Sequence, residues 1–249
     1  MPDPGELQAF YDRAYSGEGE RGLLYARWRA LGAKGKADHV IELCSRLDVE
    51  PTSTLEVGCG DGALLAELHA RRFGGTLRGV EITQAAVDIA ATRSEIDSVE
   101  LYDGEHLPAA GGQYDLGIAS HVLEHVPQPA ALVREMARAC RIVVVEVPLE
   151  DNLSARRGFK REHASEIGHL QRLSRSSTRA IVAQAGLRVA AELEDPLPRA
   201  VHVFFARDRQ ERALCTAKWV VRTAVHRAAP GSARRLLTLH YACLCLPRE

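Results

Sequence analysis

The stretch that decides the fold is residues 54–62, which read Thr-Leu-Glu-Val-Gly-Cys-Gly-Asp-Gly. An apolar and β-branched run ends here in three glycines at alternate positions, and residues 63–68 continue with helical character. A strand, a tight glycine turn and a helix in this order build a crevice that binds nucleotide-like ligands. Glu81 follows the last glycine by nineteen residues, at the end of the next predicted strand, where a carboxylate can accept hydrogen bonds from ribose hydroxyls.

Alternating strand and helix patterns extend outward from this stretch. The alternation predicts an α/β fold, a doubly wound, mostly parallel, seven-stranded Rossmann-like sheet with helices on both faces. The predicted strands are residues 54–57, 75–80, 99–102, 114–119, 141–147 and 187–193, and the predicted helices are 63–71, 83–93, 129–139 and 176–185.

The seventh strand is predicted at residues 237–246. Residues 236–246 form an almost continuous apolar run, as in a strand that is buried on both faces. Residues 196–235 then become a mostly helical insertion before the last strand. A hairpin between residues 201–206 and the strand at 187–193 stays open as an alternative.

We expect the 249 residues to form one domain, since single domains often reach about 250 residues. In the N-terminal part, helical segments at 23–30 and 38–47 are predicted to be separated around Gly32 and Gly35. Residues 151–169 are polar and are predicted to form a loop or a mobile insertion. The predicted divisions are an N-terminal helical lid at 1–49, a cofactor-binding core at 50–195, the helical insertion at 196–235 and the last strand at 236–249.

Composition and charge indicate where the protein works and which kinds of partner it meets. The N-terminus lacks the basic and apolar regions of a signal peptide, and no apolar run approaches the roughly 18 residues of a membrane span. The lack of such a run predicts no membrane partner. Six cysteines occur without a Cys-x-x-Cys pair, which predicts a reducing cytoplasm. Residues 1–150 carry a net charge of −10 and residues 151–249 carry +9. The basic part is either a solvated surface or the side that meets an anionic substrate.

Four motifs in order make the chain resemble the class I S-adenosylmethionine-dependent methyltransferases, particularly the small-domain branch of bacterial metabolism. The resemblance covers residues 50–195. The motifs are LEVGCGDG at 55–62, VEI at 80–82, YDGEHLP at 102–108 and YDLGIASHVLEHVP at 114–127. Dehydrogenases fit less well, because the turn reads Gly-x-Gly-x-Gly and lacks the dinucleotide spacing.

The resemblance implies S-adenosyl-L-methionine as cofactor and gives each motif residue a role. The glycines let the backbone pass close to the methionine part, where a Cβ would collide. Glu56 is expected near the ammonium group, Glu81 at the two ribose hydroxyls, and Asp103 at the adenine amino group. The predicted cofactor residues are Glu56, Gly58, Cys59, Gly60, Gly62, Glu81, Ile82, Asp103, Gly104, Ser120, His121 and, from the N-terminal lid, Tyr15.

Methyl transfer is an in-line displacement at an activated sulfonium carbon, so the protein must chiefly align the reactants and exclude water. A general base is needed only where the acceptor is protonated at working pH, and the candidates are His121, His169 and, behind them, Glu146. Each of them also fits the role of a structural residue. A metal at His121-x-x-Glu124-His125 is weighed and set aside, because related metal sites have an acidic residue where His121 stands. We therefore predict no metal.

The predicted reaction moves a methyl group to an oxygen or nitrogen atom of a small or medium metabolite, or of a short peptide, with an anionic portion. Two alternatives stay open, a methyltransferase acting on RNA or protein and a non-catalytic subunit that binds S-adenosylmethionine. The absence of a recognisable nucleic-acid module argues against RNA. The sequence carries no signal of oligomeric state.

Overall fold

Seven strands form one sheet in the computed structural model, which describes residues 20–158 and 168–248. The sheet order is β3-β2-β1-β4-β5-β7-β6. Strands β1 to β5 are parallel to one another, and β7 is antiparallel to both β5 and β6. The predicted mostly parallel seven-stranded fold is confirmed. The strands are β1 (Ser53–Val57), β2 (Thr76–Glu81), β3 (Ser98–Leu101), β4 (Tyr114–Ser120), β5 (Cys140–Pro148), β6 (Leu187–Asp195) and β7 (His240–Pro247).

Helices in the described residues cover the sheet and build the insertion before its last strand, as predicted. A short 3₁₀ turn, Leu123–His125, follows β4. No helix in the described parts of the chain is long and apolar enough to cross a membrane. The α-helices are α1 (Glu20–Ser45), α2 (Ala63–Ala70), α3 (Gln84–Ala90), α4 (Pro129–Ala139), α5 (Arg175–Gln184), α6 (Arg199–Val203), α7 (Arg209–Ala228) and α8 (Pro230–Leu236).

The predicted break around Gly32 and Gly35 is wrong, because both glycines lie inside the single 26-residue helix α1. A glycine in a helix costs only about 0.5–1 kcal/mol relative to alanine, and packing can outweigh that. The buried apolar residues of α1 follow helical spacing past Gly35, and all but the first of them join the apolar cluster of α2. They are Ala33, Ala37, Val40, Leu43 and Cys44.

The last strand begins three residues later than predicted and is fully buried from Tyr241 to Cys245. Residues 201–206 do not pair with β6, since they lie in and after α6, so the hairpin alternative is wrong. The thiols of Cys243 and Cys245 lie 3.7 Å apart as free, buried groups. Burial on both faces, inferred from the apolar run, therefore holds, although the strand is antiparallel.

The antiparallel direction of β7 decides which of its residues reaches the functional edge. Parallel strands end at one edge of a sheet, and ligands of open α/β sheets bind outside that edge. Because β7 runs the opposite way, its first residue, His240, lies there beside Pro148 of β5 and Asp195 of β6. The start of β7 and the ends of its neighbours thus meet at one place.

The continuity of α1 predicts that Gly32→Ala and Gly35→Ala each stabilise the ligand-free protein by about 0.5–1 kcal/mol. A Cβ at either position would meet no atom within 4 Å, and both positions have helical backbone. Urea unfolding of the two variants measures the change in free energy.

Gly186→Ala is the matched control, because a Cβ there is equally unobstructed but the φ angle is +84°. This variant should lose about 1–2 kcal/mol, the cost of a left-handed conformation for an L-residue. If Gly32→Ala and Gly35→Ala destabilise as much as Gly186→Ala, α1 does not continue through the glycines.

Candidate active site

A cavity of about 1070 Å³ opens at the carboxyl edge of the sheet. Ligand sites for small molecules measure about 300–1,000 Å³, so this cavity lies at the upper end of that range. Its walls come from the ends of β1, β2, β4 and β5, the start of β7, and the helices α1 and α6. All the described residues among the predicted site residues except Gly62 line this cavity. Tyr15 lies outside the described residues.

The glycine turn has left-handed backbone at Gly58, Gly60 and Gly62, whose φ angles are 69°, 55° and 72°. A Cβ at Gly58 would lie 2.7 Å from Cγ2 of Val122, and one at Gly62 would collide with Ile96. At these two positions the protein's own side chains, together with the positive φ, require glycine. The predicted reason, close approach of the ligand, is not needed to explain them.

Glu81 is the buried carboxylate that fixes the turn against the end of β2. Its Oε2 accepts a hydrogen bond from the Gly60 amide at 2.9 Å, and its Oε1 accepts one from the Ile82 amide at 2.7 Å. Burial raises the pKa of Glu81, and these backbone bonds oppose the rise. Each carboxylate oxygen can accept a further bond, so Glu81 presents two oriented acceptors to the cavity.

Glu56 lies at the end of β1 with its Oε2 atom buried and without a hydrogen-bond partner. Burial raises the pKa of Glu56 to about 8, although the charge of Lys36 lowers it in part. Isolated buried carboxylates are costly and are normally paired. A cationic group of a ligand in this cavity would supply the missing partner.

Asp61, which the sequence analysis did not single out, links the glycine turn to α1. Its Oδ2 accepts a hydrogen bond from Nε of Arg29 at 2.7 Å, and its side chain is buried. The signal that could have found it is an acidic residue inside the glycine turn itself. Its partner lies 32 residues away, and no local pattern indicates that pairing.

Asp103 stands at the rim of the cavity, with its side chain 58% exposed. Its Oδ1 accepts hydrogen bonds from the amides of His106 and Glu105 at 2.6 and 2.8 Å, and its Oδ2 pairs with the His106 ring at 2.9 Å. These bonds lower the pKa of Asp103 to about 2. An ionised carboxylate with a fixed orientation therefore faces the rim beside Ile82 and Gly104.

Ser120 and His121 follow each other at the end of β4. The Ser120 hydroxyl is buried without a partner. His121 has a φ of 60°, an unusual value outside glycine, and its amide donates to the Glu146 carbonyl at 2.9 Å. Non-glycine residues held in this region cluster at functional sites.

The Glu146 cluster, which we define as Glu146, His39, His121, His240 and Asp195, lines the cavity with all of its members except Asp195. Oε1 of Glu146 lies 3.0 Å from Nδ1 of His240 and 3.6 Å from Nε2 of His121, and those two ring nitrogens lie 3.1 Å apart. Oε2 of Glu146 lies 3.3 Å from Nδ1 of His39, whose Nε2 lies 3.2 Å from Asp195. Five ionisable groups thus form one continuous network.

Charge distribution in the Glu146 cluster follows from burial and pairing. Burial alone would raise the pKa of Glu146, but its close contacts with His121, His240 and His39 hold that pKa well below the usual range. Burial lowers the pKa of His39, but bonds with Asp195 and Glu146 outweigh burial and raise it to about 10. Burial and the neighbouring His121 lower the pKa of His240 to about 4.

The three predicted catalytic residues do not form one group. His121 and Glu146 are neighbours, whereas Nδ1 of His169 pairs with Oε2 of Glu150 at 2.9 Å and its ring packs edge-on against His125. His39, Asp195 and His240 were not predicted from the sequence; they come from α1, β6 and β7. Asp195 and His240 are polar residues at a strand end, which is a weak local signal, whereas His39 lies inside α1 and carries none.

A comparison with known protein families identifies the family of the chain. A family model described as a methyltransferase domain matches residues 25–192. The chain belongs to the methyltransferase family. More specifically, it is a member of the class I S-adenosylmethionine-dependent methyltransferases, as the four motifs predicted.

Curated relatives match this methyltransferase over part of their length. A ubiquinone biosynthesis O-methyltransferase of Paraburkholderia xenovorans is 30% identical over 154 residues, which are 57% of this chain and 59% of the relative. A methyltransferase of Streptomyces halstedii, GfsG, is 35% identical over 107 residues, or 40% of this chain and 38% of the relative. The matched part is thus well under two thirds of either relative.

A solved structure shares the fold over the whole chain. The geranyl diphosphate C-methyltransferase of Streptomyces coelicolor A3(2), in complex with Mg²⁺, geranyl diphosphate and S-adenosylhomocysteine, superposes with a TM-score of 0.68. The alignment covers 100% of this chain and 98% of that one, at 14% identity. At that identity the likeness establishes the fold alone.

The unpartnered Glu56 carboxylate predicts a specific pH dependence of the ligand-free protein. Its pKa is 4.5 when unfolded and about 8 when folded, so the unfolded state binds fewer protons between these values. The contribution of Glu56 to the free energy of unfolding must therefore fall as pH rises from 4.5 to about 8, by up to roughly 1.4 kcal/mol per pH unit, and then level off. Glu56→Gln should lack this component.

The measurement is urea unfolding of wild type and Glu56→Gln at pH 5, 7 and 9, without ligand. The variant should gain stability relative to wild type as pH rises, and Glu100→Gln, at an exposed position, corrects for the chemical change itself. A difference between wild type and Glu56→Gln that stays constant over this range would show that Glu56 is not buried without a partner.

Proposed function

We propose that this methyltransferase moves a methyl group from S-adenosylmethionine to an oxygen atom of a small or medium-sized acceptor. The observation that carries the proposal is the pair of buried carboxylates that face one cavity. One oxygen of Glu56 has no hydrogen-bond partner, and Glu81 has two oriented oxygens. The volume of that cavity, at the upper end of the range for ligand sites, supports two ligands side by side.

The cofactor half of the proposal assigns one group of the ligand to each acidic residue. Glu81 receives the two ribose hydroxyls, since each of its oxygens keeps an acceptor site beyond its backbone bond. Glu56 pairs with the ammonium group, which offsets the cost of its burial. Asp103 at the rim accepts from the adenine amino group, and Gly104 offers its backbone amide to the ring.

The remaining cofactor residues surround the methionine part and the adenine face. Ile82 packs against adenine, and the turn from Gly58 to Gly62, with Cys59 buried behind it, holds the methionine backbone. Ser120 and His121 then border the sulfonium, and His121 is at the same time a member of the Glu146 cluster. This order along the cavity puts the reactive methyl group next to that cluster.

The acceptor half rests on the Glu146 cluster and on one relative. An acceptor oxygen placed beside His121 and Glu146 attacks the methyl carbon, a new C–O bond forms, and the C–S bond breaks. The electron pair of the C–S bond stays on sulfur, which leaves the neutral thioether S-adenosylhomocysteine, and the hydroxyl proton passes to a basic group of the Glu146 cluster, His121 or Glu146. The O-methyltransferase activity in the name of the Paraburkholderia relative supports oxygen as the acceptor atom.

A small acceptor with an anionic portion is supported by charge in and around the cavity. Lys36 lines the cavity from α1, and the Streptomyces coelicolor protein, which shares the fold, is crystallised with a diphosphate. His169, which pairs with Glu150 and lines the same cavity, is proposed to contact the acceptor as well.

A cytoplasmic location is supported by the six cysteines, all of which are free thiols.

Glu81→Ala should weaken binding of S-adenosylhomocysteine by at least about 10-fold, because a hydrogen bond to a charged group is worth about 1.5–3 kcal/mol. Isothermal titration calorimetry measures the dissociation constant. The 2′-deoxy analogue provides the control: wild type should bind it more weakly than the parent compound, whereas Glu81→Ala should barely distinguish the two. Equal discrimination by both proteins would remove the ribose assignment.

The acceptor class is tested by incubating the protein with S-adenosylmethionine and a panel of small phenols, alcohols, amines and carboxylates. We expect a methylated product from a hydroxyl compound, detected by mass spectrometry together with S-adenosylhomocysteine. Glu146→Gln should reduce turnover by at least about 100-fold, the range of general acid–base effects, with S-adenosylhomocysteine affinity within about twofold of wild type. Methylation confined to amines would overturn the oxygen assignment.

A further inference from the structure

Three potential metal-ligand atoms of the Glu146 cluster lie within 3.6 Å of one another, and each comes from a different part of the sheet edge. They are Nε2 of His121 after β4, Oε1 of Glu146 on β5 and Nδ1 of His240 on β7. We propose that these three residues bind a divalent transition-metal ion, with Zn²⁺ as the reference ion, in a site open to the cavity. The site itself rests on geometry, and its role in activating the acceptor rests on the proposed function.

The spacing of the three atoms matches a coordination triangle. Their separations are 3.0, 3.1 and 3.6 Å. Atoms at these separations lie on a circle with a radius of about 1.9 Å, so an ion about 0.8 Å above their plane is about 2.05 Å from each. That distance is within the ranges for zinc–nitrogen and zinc–oxygen bonds, about 2.0–2.2 Å.

Hydrogen bonding alone satisfies these atoms poorly. Nδ1 of His240 lies 3.0 Å from Oε1 of Glu146 and 3.1 Å from Nε2 of His121. This one nitrogen cannot donate to the carboxylate oxygen and accept from the other ring at the same time, so in either tautomer one of the two contacts lacks a well-placed proton. A cation satisfies all three lone pairs at once.

The groups behind the triangle match the outer partners of metal ligands. A ligating histidine usually donates its second ring N–H to a carboxylate, and ligating carboxylates are themselves held by a further group. Nδ1 of His121 lies 3.4 Å from Oε1 of Glu124, and the free oxygen of Glu146 lies 3.3 Å from His39. His39 is held in turn by Asp195. These three outer residues are positioning residues.

The exposure of the ligands leaves a coordination position for the acceptor. The Glu146 side chain is 1% exposed, whereas those of His121 and His240 are 24% and 16% exposed, and all three line the cavity. Two imidazoles and one carboxylate with an open position are a ligand set of catalytic zinc. The buried, unpartnered Ser120 hydroxyl lies next to His121 in the chain and lines the same cavity.

A second group with metal-ligand composition, Glu124, His125 and His169, fits less well. Nδ1 of His125 already faces the Gly168 carbonyl at 3.0 Å, and Nδ1 of His169 is paired with Glu150. Glu124 is engaged with His121. Both histidines thus have outer contacts of the kind seen at the first triangle, but Glu124 already contacts His121 and is not among the residues that line the cavity, so this group offers no comparable open site.

A metal at the triangle changes how the acceptor loses its proton. An acceptor hydroxyl that takes the open position acquires a lower pKa, as bound water does, and releases its proton to water on binding. The resulting oxyanion attacks the methyl carbon of the sulfonium, and the electron pair of the C–S bond goes to sulfur. Neither His121 nor Glu146 then serves as the proton acceptor.

The test measures metal binding directly, on protein purified without a histidine tag and stripped with EDTA. Titration with Co²⁺, followed by its visible absorption, and with Zn²⁺ by competition against a chromogenic indicator gives stoichiometry and affinity. We expect one site per chain in wild type. His240→Asn and Glu146→Gln should lose more than about 100-fold in affinity, and Asp195→Asn about 10- to 100-fold, the cost of losing an outer partner.

His69→Ala, which removes an exposed histidine on α2, is the matched control and should bind the ion as wild type does. S-adenosylhomocysteine affinity, measured on every variant, confirms that the cavity is intact. Wild type that binds no ion, or binds it as tightly as His240→Asn, overturns the metal site.

The same experiments separate this inference from the proposed function. Methyl transfer by stripped wild-type protein, unchanged by added Zn²⁺ or by EDTA, would remove the metal while the methyltransferase proposal stands. Stoichiometric Co²⁺ binding that depends on His240, without methyl transfer to any hydroxyl compound in the panel, would remove the proposed function and keep the site.

Discussion

The antiparallel insertion of β7 between β5 and β6 is the constraint on which the site depends. β6 ends at the carboxyl edge of the sheet, and β7, running the opposite way, must begin at that edge. Whatever chain joins them therefore leaves and returns beside the cavity. The helices α6, α7 and α8 occupy that connection, and Leu197, Pro198 and Val201 from its first part line the cavity. The full burial of Tyr241 to Cys245 makes this arrangement costly to undo.

The cavity concentrates buried carboxylates, and each is handled by a different physical means. Glu81 is held by backbone amides, Asp61 by Arg29, and Glu146 by three histidines. Each solution compensates the loss of hydration that burial imposes. Glu56 has an oxygen with no such compensation. Burying a carboxylate oxygen without a partner costs free energy, and a ligand that binds there would offset this cost. This difference from Glu81, Asp61 and Glu146 makes Glu56 the strongest indication of a ligand.

Sequence reasoning reached the features that are local in the chain. Strand–helix alternation and the glycine turn depend on residues within a few positions of each other, and the cofactor motifs carry their own spacing, so the sheet and the cofactor side of the cavity were predictable. The break in α1 was wrong because propensity at Gly32 and Gly35 is a local quantity, whereas the burial of Val40 and Leu43 against α2 is not. The acceptor side depends on pairs such as His121 with His240, 119 residues apart, and no periodicity indicates them.

Helix α1 is the element that joins the two sides. Arg29 binds Asp61 in the glycine turn, and ten residues later His39 lies between Glu146 and Asp195. Residues at this spacing share one face of a helix, and Gly32 and Lys36 lie on the same cavity wall between them. In the N-terminal half of α1, Trp28 packs against Phe204 and Phe205, which follow α6, with ring centroids 5.2 and 4.9 Å apart. A shift of α1 along its axis would thus disturb the glycine turn, the Glu146 cluster and the insertion together. These contacts at both ends of α1 stabilise it as one helix and outweigh the cost of its two glycines.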